Sequence, residues 1–348
     1  MTSSKAARRT VLLAGVVALL ASRAAPPPRV SAQAPLIVRM ATLVPDGSSW
    51  HQILKETAEK WKALSGGRVT VRLFPGGVAG DDPDVVRKMR LGTLNAGLLT
   101  AVGVGEVDKA CYALGIPLAY DSYEEVYYVL EKMRPKLEAA LEAKGFVVLN
   151  WADGGWVHFF TQKPVAVPED LRPLKLFSWA GDPQSVEVWR SAGFNPVPLP
   201  STEIATALQT GLVQALGSPP QVAVISQYFN HAKNMTDLRW QLLLGATLVT
   251  KATWEKVPAD VRPALLEATR EAGARLQAEI RQSEQKDVEA MKKRGLNVVS
   301  VSTAQRVQWQ KLTESIYPKV RGPIVPAEPF DEAMRYRDEF RKQGRTAR

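Results

Sequence analysis

Short apolar runs alternate with amphipathic segments along the first third of the chain. The runs at residues 36–41, 69–74 and 96–101 have the length and composition of buried strands. Residues 49–64 and 82–91 lie between them, place apolar side chains on one helical face and are followed by glycine. This β-α-β-α-β order predicts a parallel or mixed sheet that is covered by helices on both faces.

The same alternation continues in a second block of the chain. An amphipathic helix is predicted at residues 123–144, and strands are predicted at residues 146–151 and 157–161. After a proline-punctuated connection we expect a strand, a helix, a strand and a helix at residues 174–177, 183–192, 196–198 and 202–210. Because the pattern occurs in two blocks, it favours two α/β lobes.

Residues 254–293 carry the longest helical pattern in the chain. Pro258 and Pro263 fall near its start, where proline is tolerated, and Gly273 is the one later breaker. A helix that rises about 1.5 Å per residue over this length would reach across two lobes. The segments expected to follow are a strand at residues 298–301, a helix at residues 303–316 and a charged helical tail.

The net charge of +10 is concentrated in two terminal segments. Residues 1–34 contain five basic residues and no acidic residue, so the rest of the chain carries +5. Part of that remainder lies in the C-terminal tail, which contains Arg341, Lys342, Arg345 and Arg348. A nucleic-acid groove needs clustered charge on the body of the protein, and the sequence does not indicate one.

The first 34 residues have the order of a secretory signal. A cationic start precedes an apolar run at residues 11–21, and Ala-Gln-Ala at residues 32–34 fits cleavage before Pro35. Arg8 and Arg9 point weakly to the twin-arginine route, although adjacent basic residues are also the ordinary charged start of a signal. We therefore expect an exported, periplasmic protein.

The chain is poor in nucleophilic and metal-binding residues. Cys111 is the one cysteine, which excludes an intramolecular disulfide, and the three histidines have no metal-motif spacing. The patterns G-x-S-x-G, H-E-x-x-H and the P-loop are absent. We therefore predict a binding protein with no catalytic residues, no cofactor and no metal, rather than an enzyme.

Four polar or soft side chains have a packing or capping interpretation that must be weighed against a functional one. Asp81 and Asp82 fit an incomplete calcium loop, but helix capping explains them at lower cost. Cys111 lies in an apolar setting and is expected to be a buried small hydrophobe. His158 shares one face of a strand with Trp156 and is either a packed, hydrogen-bonded core residue or a ligand contact.

Several segments, in this order along the chain, are similar to one protein family. The most specific is A-L-Q-T-G at residues 207–211, with P-V-P upstream at residues 196–198. The other matching segments are residues 46–51, 65–69, 74–82, 90–97, 115–118 and 168–176. Together they resemble the DctP-type extracytoplasmic solute receptors of TRAP (tripartite ATP-independent periplasmic) transporters over nearly the whole mature chain.

The resemblance implies a two-lobed α/β fold of the periplasmic-binding-protein type, with mixed sheets, hinge strands and a long helix spanning both lobes. A small organic solute would lie between the lobes, which close on it and deliver it to the small and large membrane subunits of the transporter. The expected segments are a signal peptide, lobe I, lobe II, a part shared by both lobes and a charged tail, at residues 1–34, 35–155, 156–247, 248–325 and 326–348.

The chain departs from this family where the ligand is usually gripped. Phe177 stands at the position of an arginine that clamps a carboxylate through two parallel hydrogen bonds, and Val157 stands at a second arginine position. Gln214-Ala215 replaces an aspartate-glycine pair, and Ser218 replaces an asparagine before proline. The family scaffold therefore matches, but its carboxylate clamp does not.

Two hypotheses follow for the ligand. The first is a less acidic or larger, flatter solute held against the aromatic faces of Trp156, Phe177 and Trp179, which would also suit a cation. The second treats these aromatics as core residues and assigns the clamp to Arg172 or Arg239. The candidate ligand-binding residues are Trp50, Asp81, Trp156, His158, Phe177, Trp179, Ser201 and Ser218, each of which also has a packing, capping or turn interpretation.

Two other functions remain open at this stage. A secreted enzyme on a similar scaffold would need converging titratable groups in the cleft, which the sequence does not offer. A signalling or scaffold relative that has lost its ligand site is consistent with the missing arginines.

Overall fold

The computed structural model describes residues 34–346. The predicted export signal and twin-arginine motif lie outside the described residues. Ten strands occur in the described part: β1 (Leu36–Thr42), β2 (Val69–Phe74), β3 (Ala96–Thr100), β4 (Phe146–Thr161), β5 (Lys175–Trp179), β6 (Asn195–Leu199), β7 (Ala215–Ser218), β8 (Asn234–Thr236), β9 (Gln241–Thr250) and β10 (Asn297–Val299).

Helices connect most of these strands. In chain order they are α1 (Ser49–Leu64), α2 (Asp82–Arg90), α3 (Ala101–Val107), α4 (Tyr123–Ala143), α5 (Pro168–Leu171), α6 (Pro183–Ser191), α7 (Ile204–Thr210), α8 (Pro220–Ile225), α9 (Lys251–Trp254), α10 (Arg262–Lys293), α11 (Thr303–Val320) and α12 (Ala327–Thr346). Short 3-10 turns occur at Lys109–Gly115, Ser201–Glu203 and Tyr228–Asn230.

The strands form a mixed sheet in the order β2-β1-β3-β9-β4-β7-β5-β6, and β8 pairs with β4 and β10. β1 pairs in parallel with β2 and β3, and β5 pairs in parallel with β6 and β7. β9 is antiparallel to both β3 and β4, and β4 is antiparallel to β7. We call the half built on β1–β3 lobe I and the half built on β5–β7 lobe II. The two-lobed α/β fold is therefore confirmed.

β4 connects the two lobes as one 16-residue strand. Its first part pairs with β9, and its last residues pair with β7 and β8. The prediction of two separate strands here was wrong. Asp153-Gly154-Gly155 is typical of a turn, but in the structure these residues form a β-bulge and β4 continues through them in its pairing with β9. Gly155 has φ +93°, a conformation that L side chains rarely adopt.

The long helix α10 also connects the lobes. Leu265 and Ala268 pack with the lobe I sheet, whereas Met291 packs in the core of lobe II. The helix begins at Arg262 rather than at residue 254, because the chain turns between α9 and α10 and Pro263 occupies the first helical turn. The predicted lobe-spanning helix is confirmed.

Each lobe has its own apolar core. The core of lobe II contains an aromatic cluster in which Phe159 stacks on Trp309 at 5.4 Å and lies 5.2 Å from Trp240, measured between ring centroids. Cys111 is buried in the core of lobe I, as expected. No helix within residues 34–346 has both the length and the apolarity needed to cross a membrane.

Candidate functional site

The carboxyl ends of the parallel strands of the two lobes face each other across a seam. The loop after β2 in lobe I contacts the turn after β6 in lobe II, and these loops follow the ends of their strands. Open α/β sheets bind ligands outside the carboxyl ends of their strands. This interlobe cleft is therefore the candidate binding site.

Asp81 and Ser201 form a hydrogen-bonded pair across the cleft. The backbone N–H of Ser201 donates to Oδ2 of Asp81 at 2.7 Å, and its hydroxyl donates to Oδ1 at 2.7 Å. Asp81 is also the N-cap of α2, since Oδ1 accepts from the N–H of Asp82 at 2.9 Å. Two of the predicted site residues are thus brought together, and capping does not exclude a second role.

On either side of this pair, a glycine of one lobe approaches a side chain of the other lobe closely. A Cβ at Gly77 would lie 2.6 Å from Cγ2 of Thr202, and a Cβ at Gly181 would lie 2.4 Å from Cγ of Pro83. Lys109 also donates a hydrogen bond to Gln184 across the seam. Larger residues at these glycines would keep the lobes apart, so glycine permits the closed geometry.

Asp82 lies directly behind this seam and is fully buried. Its Oδ2 accepts hydrogen bonds from the N–H and the hydroxyl of Thr100 at 2.8 and 2.7 Å. Oδ1 has no partner in the described part of the chain. Burial raises the pKa of Asp82 to about 7, because the hydrogen bonds from Thr100 do not offset the lost hydration.

Two tryptophans lie at the floor of the cleft. Trp50, at the start of α1, belongs to an apolar cluster that includes Ile280 of α10 and has Val222 of α8 packed against it, so this cluster joins elements of both lobes. Trp156 of β4 is fully buried, with its ring 5.5 Å from that of Tyr123 and 5.7 Å from the Arg239 guanidinium. Neither indole N–H has a hydrogen-bond partner among residues 34–346.

His158 lies on the same face of β4 as Trp156. Its Nδ1 is 3.1 Å from the carbonyl of Thr236, and its Nε2 is 3.9 Å from Oε1 of Glu284. Burial tends to raise the pKa of Glu284, but contact with His158 and the positive Arg239 outweigh it and leave that pKa lowered. The charged group nearest to His158 is therefore a carboxylate.

Phe177 and Trp179 lie together at the end of β5, 5.9 Å apart in an edge-to-face arrangement. Phe177 is 7% exposed and packs with Ile204 in the core of lobe II, whereas Trp179 is half-buried. Ser218 lies opposite His158 in the β4–β7 ladder and donates to the carbonyl of Pro219 at 3.1 Å.

The two alternative arginines lie in different places. Arg172 precedes β5, and its guanidinium lies 5.5 Å from the ring of Phe194, which precedes β6. Because β5 and β6 are parallel, Arg172 lies at the edge opposite to the cleft. Arg239 is exposed but adjoins Trp156 at the cleft floor.

A narrow space with no room for a water molecule lies at the cleft floor. It is lined by Trp156 and the preceding glycines of β4, by Gln221 and the prolines before it, and by Ile280 and Glu284 of α10. Among residues 34–346 no cluster of three or more His, Cys, Asp or Glu side chains is arranged to hold a metal ion.

A polar network beside the floor was missed by the sequence reasoning. Asp153, in the β4 bulge, accepts from Tyr127 at 2.6 Å and pairs with Arg281 at 3.3 Å. Arg281 also lies over the ring of Tyr123 at 4.1 Å. These residues come from three distant segments, and the one local signal was an acidic residue inside an otherwise apolar strand.

The fold and this cleft define a two-lobed solute-binding protein. A family model described as "Bacterial extracellular solute-binding protein, family 7" (DctP) matches residues 40–322. The chain therefore belongs to this family, which confirms the resemblance seen in the sequence. Its members are solute receptors, so membership places the chain among binding proteins.

Curated relatives are similar over most of the chain. The 2,3-diketo-L-gulonate-binding periplasmic protein YiaO of Escherichia coli is 25% identical over 256 residues, which cover 72% of this chain and 77% of that protein. The C4-dicarboxylate-binding periplasmic protein DctP of Rhodobacter capsulatus is 27% identical over 299 residues, covering 83% and 88%.

Solved structures share the fold at low identity. The sugar acid binding protein DctPAm of Advenella mimigardefordensis, in complex with galactonate, aligns with a TM-score of 0.82 at 20% identity, covering 88% of this chain and 98% of that one. A TRAP periplasmic solute-binding protein of Xanthobacter autotrophicus, with bound β-D-galacturonate, aligns with a TM-score of 0.79 at 18% identity, covering 86% and 99%.

Proposed function

We propose that this protein is the solute-capturing receptor of a TRAP-type secondary transporter. It closes its two lobes on a small organic solute and delivers that solute to the small and large membrane subunits. The Asp81–Ser201 pair carries this proposal, because it joins the lobes where a ligand between the strand ends would be enclosed.

The proposal includes export to the periplasm. Residues 1–34 serve as a cleaved signal with a twin-arginine pair at Arg8 and Arg9, and the mature receptor begins at Pro35. Residues 35–155 supply most of lobe I and residues 156–247 most of lobe II. Residues 248–325 are shared, and the charged tail follows from residue 326.

The solute is proposed to be less acidic, or larger and flatter, than the sugar acids and dicarboxylates named for relatives. Phe177 and Val157 occupy the positions where the family resemblance implies arginines, and both are buried in apolar surroundings. A buried carboxylate without a cationic partner costs several kcal/mol. Arg172 lies away from the cleft, and Arg239, which adjoins the cleft floor, is exposed and already acts on the Glu284 carboxylate.

Thermal unfolding with a solute panel tests this function. A solute at about a hundredfold excess over its Kd should stabilise the protein by about 2.7 kcal/mol. A test variant is Ser201→Ala, which removes one hydrogen bond across the seam. It should reduce the stabilisation that the solute produces without altering the lobe cores. If acidic, neutral and aromatic solutes all leave the melting temperature unchanged, the ligand-independent alternative is favoured.

A further inference from the structure

We propose that Trp50, Trp156 and Gln221 form an uncharged hydrogen-bonding set at the cleft floor, which selects a neutral oxygen-bearing solute over its carboxylate analogue. This inference rests on the proposed receptor function and specifies its substrate class. The space between these side chains is too tight for a water molecule in this closed arrangement, so the lobes would part to admit the solute. The body of the solute would then lie against the apolar parts of the indoles and Ile280.

Two of the three side chains line one narrow space, and the third belongs to the apolar cluster that adjoins it through Ile280. Trp156 and Gln221 line the same narrow space together with Ile280. Trp50 is not part of this lining, but it belongs to the same apolar cluster as Ile280, and Val222, the neighbour of Gln221 in the chain, packs against that cluster. The set thus joins lobe I, the connecting strand β4 and the first turn of α8 in lobe II.

Each member has one buried polar atom without a partner in the described chain. These atoms are Nε1 of Trp50, Nε1 of Trp156 and Oε1 of Gln221. An indole N–H can only donate, and an amide oxygen can only accept. A solute with acceptor oxygens and one hydroxyl or amide N–H would satisfy all three atoms, which are costly to leave unpaired.

The orientation of Gln221 is fixed by α10. Its Nε2 donates to Oε1 of Glu279 at 3.3 Å, and the same carboxylate oxygen accepts from the hydroxyl of Ser49. Because the amide nitrogen is held by a carboxylate, Oε1 is the atom left for a ligand. The side chain is therefore preorganised as an acceptor.

The charges around the floor disfavour an anion. Glu284 lines the space, and Glu279 adjoins it through Gln221. The Arg239 guanidinium lies 5.7 Å from the Trp156 ring and acts on Glu284, and His158 also faces Glu284. A ligand carboxylate here would meet the like charge of Glu284, and Arg239, which is exposed to solvent and already acts on Glu284, would offset that charge only in part.

Calorimetry with matched pairs of probes tests the charge preference. The pairs are galactitol and galactonate, phenylacetamide and phenylacetate, and succinamide and succinate, which differ mainly in the charge of one or two groups. We expect the uncharged member to bind at least about tenfold more tightly in any pair that binds. Tighter binding of the carboxylate, or no binding of any uncharged probe, overturns the inference.

Trp→Phe variants test the named side chains. Trp50→Phe and Trp156→Phe keep an aromatic ring but lose the N–H, so each should weaken the uncharged probe about three- to tenfold. The matched control is Trp309→Phe, because the Trp309 N–H donates to the carbonyl of Ala166 at 2.9 Å within lobe II. It should lower the melting temperature and leave affinity unchanged.

The outcomes separate the two proposals. If the wild type binds a probe and Trp50→Phe and Trp156→Phe bind it equally well, the inference fails and the receptor function stands. If no probe of either charge binds, both the inference and the receptor function are contradicted. Should Trp156→Phe fail to fold, Trp50→Phe and the wild-type probe pairs still decide the matter.

Discussion

Replacing Asp82 by asparagine should remove a pH dependence of stability that this buried carboxyl imposes. The pKa of Asp82 is raised from 3.8 to about 7, with burial as the main cause. Between these values the folded protein keeps the proton, while the unfolded chain has lost it. The stability that comes from keeping this proton in the folded state is therefore fully present below about pH 4, falls as pH rises and is lost above about pH 7.

The size of the effect follows from the shift. A difference of about 3 pKa units corresponds to about 4 kcal/mol of unfolding free energy, as an order of magnitude. An asparagine oxygen can keep both hydrogen bonds from Thr100 and carries no charge. Asp82→Asn should therefore be more stable than the wild type at pH 8 by about 1–4 kcal/mol. The loss of the favourable interaction between the carboxylate and the dipole of α2 reduces this gain by about 0.5 kcal/mol.

Urea unfolding at pH 4.5 and pH 8 measures this difference. The control is Asp84→Asn, which removes a half-exposed carboxylate from the same first turn of α2 and should change stability by less than about 1 kcal/mol at both pH values. The reasoning is refuted if Asp82→Asn shows the same stability difference from wild type at both pH values.

Three further predictions concern the seam, the connecting strand and the core. In a double-mutant cycle, Asp81→Asn and Ser201→Ala should show a coupling of about 1 kcal/mol in solute affinity; additive effects would mean that the contact does not assist closure. Gly155→Ala should destabilise the protein by about 1–3 kcal/mol in thermal unfolding, because φ is +93° and the new Cβ would lie 3.0 Å from Ile280; an unchanged melting temperature would contradict this geometry. Phe159→Ala should cost about 3–5 kcal/mol in urea unfolding and leave solute affinity intact, and a selective loss of affinity would argue against a purely structural core.

Local sequence patterns predicted most elements of this fold. The run at residues 69–74 coincides with β2, and the helix expected at residues 49–64 coincides with α1, because Ser48 caps that helix by accepting from the N–H of His51 at 3.1 Å. Such boundaries depend on residues that are close in the chain, so they can be predicted from a single sequence.

Features set by distant partners could not be predicted in the same way. β9 was not recognised, although it is the partner of β4 that holds the bulge at Gly154-Gly155 in an extended ladder. The ion pair between Asp153 and Arg281 joins residues 128 positions apart. Glu284 belongs to a helix with many charged residues, so nothing local distinguished it from a solvated side chain.

For the candidate site, the family resemblance supplied what periodicity did not. It placed Asp81 and Ser201 near the cleft, and the structure brings them into direct contact. The resemblance also showed which positions lack arginine. Gln221 was not selected, because its role depends on the orientation that Glu279 of α10 gives to its amide.

The central claim is that the lobes close around a solute. Pulsed electron–electron double resonance between spin labels on the two lobes tests it most directly. Val78 is 73% exposed in the lobe I loop of the seam, and Gln209 is exposed on α7 of lobe II, so both accept a labelled cysteine while Cys111 stays buried. We predict a broad distribution with longer distances in the free protein and one narrow, shorter distance with the uncharged probe that binds most tightly. An identical distribution with and without a probe that calorimetry shows to be bound would contradict the account.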